Sequence, residues 1–311
     1  MRLRRGPLGV AGSAVATGVL ALALPPAATA AFPGKNGRIA FTVQVRDRGE
    51  TFSSRIETVL PSGRGRRALA ICAADESCLD TDPAWSPNGR LLAFTQGSAF
   101  QSRLAIARDD GTGLRRLPQL TPTDRQPAWS PDGRRLAFSG EGPQLYTVRR
   151  DGTALRGVTS RHAVSPAWST DRAIAFVHDD LLTGRRFKGL YSIRPDGSRR
   201  RLLVTGPVSQ SPPEAPEWSP HASRIAFVLP GSVNPEIHVA NRKGRDRRRL
   251  TSNGTQPAWS PDGRYIAFIR NWDLYVMRSN GRGVRRVADG GELPSGEQIY
   301  LDSPTWQPLR R

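Results

Sequence analysis

The chain has 311 residues, 37% of them hydrophobic and 23% charged, and its 46 Lys and Arg against 27 Asp and Glu give a formal net charge of +19. That length excludes a fragment too small to bury a core and leaves room for one large domain or two ordinary ones. Lys occurs only at positions 35, 188 and 243, so the positive charge is almost entirely arginine.

The first thirty residues read as a leader. Arg2, Arg4 and Arg5 form a basic start, Val10 to Leu24 is an apolar run of small residues, and Ala28-Thr29-Ala30 fits a signal-peptidase site. The apolar run is too short and Gly-rich for a membrane span, which needs about 20 residues. Residues 1–30 are therefore expected to be a signal peptide, and residues 31–311 one exported domain without a transmembrane span. The destination is the secreted fraction, the cell wall or the periplasm. The Arg4-Arg5 pair leaves general and twin-arginine export both open. Losing the three leader arginines leaves 43 basic against 27 acidic residues, or +16. A surface of this kind suits polyanions, and export favours anionic cell-wall polymers or lipid headgroups over nucleic acid. The same arginines also serve solubility with no ligand at all.

Two cysteines, Cys72 and Cys78, are the complete set. In an oxidising compartment a disulfide closing a small loop is the expected outcome. Two thiols without nearby histidines do not make a four-ligand zinc site.

The rest of the chain is organised by repetition. Trp85, Trp129, Trp168, Trp218, Trp259 and Trp306 each close a Pro-Ala-Trp or related triplet, at intervals of 44, 39, 50, 41 and 47 residues. Each of the first five leads through a tight turn such as Ser260-Pro261-Asp262-Gly263 into an apolar strand such as Ile266-Ala267-Phe268. Pro presets φ in that turn, Asp bonds to its own backbone and Gly accepts a positive φ. A third strand follows, as in Leu274-Tyr275-Val276-Met277, then a second turn such as Asn280-Gly281 and a short arginine-rich fourth strand. Four antiparallel strands per repeat make a propeller blade. Helices are excluded because Pro and Gly interrupt every repeat, and the runs between them fall short of about 11 residues. Consecutive apolar residues in the second strand predict burial on both faces.

The ends of the repeat region suggest closure. Asn36-Gly37-Arg38-Ile39-Ala40-Phe41 has a turn and second strand but no preceding Trp, while Ser303-Pro304-Thr305-Trp306 has only a first strand. The expectation is an all-β, six-bladed β-propeller of four-stranded antiparallel blades, closed by a blade shared between the two ends. Pairing the ends removes two open sheet edges. Residues 31–311 then average about 47 per blade, near the size typical of such repeats.

The motif Pro-Ala-Trp-Ser-Pro-Asp-Gly-Arg-x-Ile/Leu-Ala-Phe, at 127 to 138 and 257 to 268, resembles the WD-like (PD40) propeller repeat of TolB and its relatives. The copies at Thr170-Asp171-Arg172 and His221-Ala222 depart from it. The resemblance covers the propeller only. TolB carries an additional N-terminal domain for which this sequence offers no matching segment, so a place in a Tol envelope complex is not implied. A similar propeller precedes the hydrolase domain of prolyl-oligopeptidase-like enzymes, but no Gly-x-Ser-x-Gly elbow occurs here. The serines after each Trp read as turn formers.

Two groups of residues are candidates for a site. Propellers bind ligands beside their innermost strands, and Asp80, Asp82, Asp124, Glu214 and Asp302 precede the repeated tryptophans. Such a collar either holds a hard cation such as calcium or a cationic ligand, or caps turns and pairs with arginines. Phe52, Phe100, Phe187 and Trp272 lie in loops joining the second and third strands, where exposed aromatics suit a protein interface. The sequence thus favours a monomeric, non-catalytic module that binds an envelope or secreted protein and needs no cofactor. The alternative is a small-ligand binder or a calcium-dependent, lactonase-like hydrolase.

Overall fold

The structure is a computed structural model and describes residues 31–46, 52–69, 79–97, 101–142, 144–159, 163–178, 189–205, 213–292 and 296–310. The expected signal peptide and the Cys72 to Cys78 loop lie outside them, as do Phe100 and Phe187.

In chain order the strands are β1 (Lys35–Arg46), β2 (Phe52–Val59), β3 (Arg67–Ala68), β4 (Leu79–Trp85), β5 (Leu91–Gly97), β6 (Ser102–Arg108) and β7 (Arg115–Arg116). They continue with β8 (Arg125–Trp129), β9 (Arg135–Gly140), β10 (Gln144–Arg149), β11 (Arg156–Gly157), β12 (Ala163–Trp168), β13 (Ile174–His178), β14 (Gly189–Ile193) and β15 (Arg201–Thr205). The last are β16 (Glu214–Trp218), β17 (Arg224–Leu229), β18 (Glu236–Asn241), β19 (Arg248–Thr251), β20 (Thr255–Trp259), β21 (Tyr265–Arg270), β22 (Asp273–Arg278), β23 (Arg285–Ala288), β24 (Gly291–Glu292) and β25 (Gln298–Leu309).

The chain is an all-β propeller of antiparallel, four-stranded blades. Four blades are separate sheets: β8 to β11, β12 to β15, β16 to β19 and β20 to β23. The other nine strands form one sheet in the order β24-β25-β1-β2-β4-β5-β6-β7, with β3 on β2. Four separate sheets therefore stand where six were expected. The reason is local: one parallel pair, Ser54 with Leu79, joins β2 to β4.

The blade turns form as their side chains require. Ser130 Oγ accepts from Arg135 N at 2.9 Å and donates to Asp132 Oδ1 at 2.6 Å, which also accepts from Arg134 N at 3.0 Å. Ser260, Asp262, Arg264 and Tyr265 repeat the arrangement, and Ser86 with Asn88 does the same. These serines hold turns by local side chain-to-backbone bonding. The second strands bury both faces: Phe41, Phe94, Phe138, Phe176, Phe227 and Phe268 are all fully buried. The outermost strands β3, β7 and β11 are exposed on both residues, so their arginines charge an open edge against pairing with other chains.

At the start of the described chain, Phe32 is buried in the cluster containing Ala84 and Trp129, whereas the adjacent Ala31 is buried in the cluster containing Trp259. Gly34 N donates to Pro261 O at 3.2 Å, and Asp262 N donates to Asn36 Oδ1 at 3.2 Å. Residues 31–34 therefore run across the tryptophan ends of the inner strands before entering β1. Both residues following the expected cleavage site are part of the core.

Candidate functional site

Each inner strand carries the same distortion. The residue three places before the tryptophan has a left-handed backbone in all six copies: Asp82 (φ 54°), Gln126 (57°), Ser165 (54°), Ala215 (45°), Gln256 (52°) and Ser303 (49°). Each precedes a proline, a position that ordinarily prefers extended backbone. The ladder register slips at these points, as between Thr81 and Ala84 or Thr255 and Ala258, so each is a β-bulge that re-aims its side chain. A non-glycine residue in this region costs roughly 1–2 kcal/mol. Contacts to the neighbouring blade offset it. Gln126 N donates to Thr95 Oγ1 at 3.1 Å, Ser165 N to Gln126 Oε1 at 3.1 Å and Ser303 N to Gln256 Oε1 at 2.7 Å.

The bulge sorts the acidic candidates. Asp80 and Asp124, five places before their tryptophans, are buried. Asp80 accepts from Gln96 Nε2 at 2.9 Å. Asp124 accepts from Leu120 N, Thr121 N and Thr121 Oγ1 at 2.9, 2.9 and 2.6 Å, which makes it a turn cap. These two carboxylates are used within the fold and do not meet the others. The next position, held by Thr81, Arg125, Val164, Glu214, Thr255 and Asp302, is partly exposed in every copy. This row lines the inner rim, and it is mixed: Arg125 interrupts the acidic set, and Glu214 sits in a different blade from Asp302.

Asp82 and Asp302 do come together. Asp82 accepts from Thr95 Oγ1 at 3.2 Å, from Thr81 Oγ1 at 3.3 Å and from Ser303 Oγ at 3.3 Å, beside Asp302. Gln44 Nε2 donates to Asp302. Burial raises the Asp82 carboxyl above its usual range, against the pull of these hydroxyls and of the Arg125 charge. Burial, and then the Asp82 charge, push Asp302 up to about 7. Asp302 is densely surrounded yet still reached by water at the rim, so solvent tempers that penalty. Two carboxyls whose charges repel each other in this way hold protons more readily than isolated ones, or attract a cation. Among the described residues no group of three or more His, Cys, Asp or Glu could hold a metal ion, so a calcium ion here would rest on this pair, backbone oxygens and water.

Trp272 is tied to the strand that carries Asp302. The β21 to β22 hairpin turns on Asn271 (φ 49°) and Trp272 (φ 65°), both left-handed, in a two-residue hairpin that usually holds Asn-Gly. Trp272 O accepts from Leu301 N at 3.1 Å, its indole meets the Tyr300 ring edge-on at 5.1 Å, and 57% of the residue is exposed. The hairpin tip is thus tied to β25 one residue from Asp302. Of the other aromatic candidates, Phe52 begins β2, and its side chain lies outside the described set. Residue order shows neither the electrostatic pairing of Asp82 with Asp302 nor the bulges. The one available signal was the proline that follows all six positions.

The repeated Trp-turn motif and the blade architecture define a β-propeller similar to that of TolB. Comparison with known proteins agrees. Residues 67–217 match the TolB beta propeller domain family, and residues 255–308 match the N-terminal region of dipeptidyl peptidase IV. The Tol-Pal system protein TolB of Desulfosudis oleivorans is 31% identical over 93 residues, covering 28% of this chain and 19% of that protein. The uncharacterized peptidase YuxL of Bacillus subtilis is 31% identical over 108 residues, covering 30% of this chain and 15% of that protein. The chain therefore matches less than a fifth of the length of these curated relatives. Among solved structures, TolB from Acinetobacter baumannii superposes with a TM-score of 0.70 at 18% identity, covering 89% of this chain and 68% of that one. That likeness speaks to the fold alone. Among the described residues no helix is long and apolar enough to cross a membrane.

Proposed function

We propose that this chain is an exported, non-catalytic propeller that binds a protein partner of the envelope or secreted fraction at the rim formed by Trp272, Tyr300, Asp302 and Asp82. The observation that carries the reading is Trp272: a large aromatic side chain held exposed, in a backbone conformation that disfavours it, on a hairpin bonded to β25 one residue from Asp302. Exposed aromatic anchors dominate binding energy where a partner covers them, and the carboxyls select a partner presenting Lys or Arg there. Strain kept at an exposed position points to function.

We further propose that the nine-stranded sheet counts as two blades, β25-β1-β2-β3 and β4-β5-β6-β7, making six in a closed ring. The single parallel pair at Ser54 supports this division, since strands within a blade share long antiparallel registers. So does the cyclic order of contacts among inner strands: β25 touches β4, then β8, β12, β16 and β20 follow, and β20 touches β25. The antiparallel register of β1 on β25, from Lys35 with Leu309 to Arg46 with Gln298, supplies the closing seam.

The test of the binding reading is site-specific photocrosslinking in the producing cell. A photoreactive residue at 272 should trap a discrete partner, and Asp82→Asn with Asp302→Asn should weaken the adduct. No adduct at 272, or one equally strong at a distant control position, would sink the reading.

A second reading, a hydrolase or cation-dependent small-ligand site at the same carboxyl pair, is favoured by the match of residues 255–308 to the N-terminal region of dipeptidyl peptidase IV. Titration with calcium during thermal melting separates the two, because a cation bound to the folded state raises the melting temperature by mass action. A flat response across divalent ions would rule out the cation.

A further inference from the structure

The blade β12 to β15 departs from its neighbours in two turns. At the turn after the tryptophan, the left-handed position holds Gly89, Gly133 and Gly263 in three blades and Ala222 in another, but Arg172 (φ 67°) here. In the turn between third and fourth strands, the second left-handed position holds Gly65, Gly113 and Gly283 in three copies, Ala154 and Asp246 in two, but Arg199 (φ 55°) here. Both irregular arginines open onto one cleft of about 700 Å³ between this blade and the β16 to β19 blade. Arg194, Arg201, Arg242 and Trp218 line it as well.

Five arginines converge against two aspartates, and both aspartates are already engaged. Asp196 accepts from Ser198 N and Ser198 Oγ at 2.9 and 2.6 Å, which, together with the nearby Arg194 charge, lowers its carboxyl below the usual range. Asp171 takes Arg242 and the Ser169 hydroxyl. Arg201 is held by a bond from its Nη2 to Arg242 O at 2.8 Å. The guanidinium groups of Arg172, Arg194 and Arg199 have no hydrogen-bonded or ion-pair partner among the described residues. Elsewhere, edge arginines such as Arg115 of β7 and Arg156 of β11 lie on exposed strands and donate singly to the next blade's backbone, at Arg150 O and Asp196 O. Here they face one space large enough for a ligand beyond a single ion.

We propose that this cleft binds a phosphate-bearing anion, with Arg172, Arg194 and Arg199 supplying the free forks and Arg201 and Arg242 the fixed wall. Planar guanidinium groups recognise tetrahedral oxyanions by paired N–H bonds, which fits phosphate groups on a polymer or on a free metabolite. The site is separate from the Trp272 rim, so either can fail without the other.

The test is calorimetric titration of the mature chain with sodium tripolyphosphate and with long-chain polyphosphate, at low and moderate salt. The double variant Arg172→Gly, Arg199→Gly installs the residue that sibling blades carry, so its melting temperature should be unchanged or raised. Its affinity should fall about tenfold or more. The control Arg150→Gln, Arg282→Gln, which removes two exposed arginines from other blades, should keep wild-type affinity. Equal binding per site to both probes assigns a small phosphate ligand, and binding to the polymer alone assigns a phosphate polymer. Failure of the wild-type chain to bind either probe overturns the proposal. So does wild-type affinity in the double variant, or an equal loss in the control.

Discussion

Ser303 Oγ reaches Asp82 across the seam between β25 and β4, and the residue before it, Asp302, carries a carboxyl raised to about 7 by burial and by the Asp82 charge. A strand from the end of the described chain and a strand from its first third thus share one acidic site. In the unfolded chain the two are 220 residues apart.

This pair makes stability depend on pH in a defined direction. A carboxyl whose folded value lies above its unfolded value of about 4 binds more protons when folded, so stability falls as pH rises between the two. The window runs from about pH 4 to the Asp302 value of about 7, and Asp82 acts in the same sense. The ceiling is roughly 4 kcal/mol, at 1.36 kcal/mol per unit, and solvent at the rim lowers it. Asp302→Asn should flatten this part of the melting temperature profile and melt above wild type at pH 8. Parallel profiles for both proteins would refute the assignment.

Trp272→Gly should separate binding from folding. The change releases a left-handed tryptophan, worth roughly 1–2 kcal/mol, and gives up its ring contact with Tyr300, worth roughly 0.5–1.5 kcal/mol. The two nearly cancel, so the melting temperature should move little while partner capture at the rim is lost. A large destabilisation would show that Trp272 is a packing residue.

Phe32→Ala should cost about 3–5 kcal/mol in urea unfolding, as expected for a buried phenylalanine truncated to a cavity. Phe32 lies only two residues past the expected leader, where chain ends usually fray. A loss below about 1 kcal/mol, the range of ordinary surface changes, would mean that the segment does not hold its place across the inner strands.

Deleting residues 304–311 removes Trp306, buried among Phe41, Val59 and Ile269, and four of the nine registered pairs between β1 and β25. In the closed-ring reading the whole domain should lose cooperative melting, because β1 and β20 both lose their inner neighbour. A truncated chain that melts like the full one would overturn the closure proposed here.

Much of the blade was legible from local chemistry. Ser130, Asp132 and Gly133 make their turn by bonds within six residues, so the motif carries its own geometry wherever it occurs. The Ile-Ala-Phe strands were legible as doubly buried because consecutive apolar residues leave no polar face. The acidic candidates were visible as a set, but their roles were not. Asp80 and Asp124 turn into their own blades, and only Asp82 and Asp302 meet.

What the amino-acid order determined by itself, then, is the repeating unit: turn, strand, second turn and charged outer edge, each specified by residues a few positions apart. The tertiary structure decided everything at the inner rim and between blades. Proline after Asp82, Gln126, Ser165, Ala215, Gln256 and Ser303 calls for extended backbone, and at Gln126, Ser165 and Ser303 the opposing bond comes from a blade dozens of residues away, as Thr95 does for Gln126. The convergence of Arg172 and Arg199 on one cleft has the same origin: 27 residues separate them in sequence, and only the folding back of β13 and β14 puts their turns on one side of the blade.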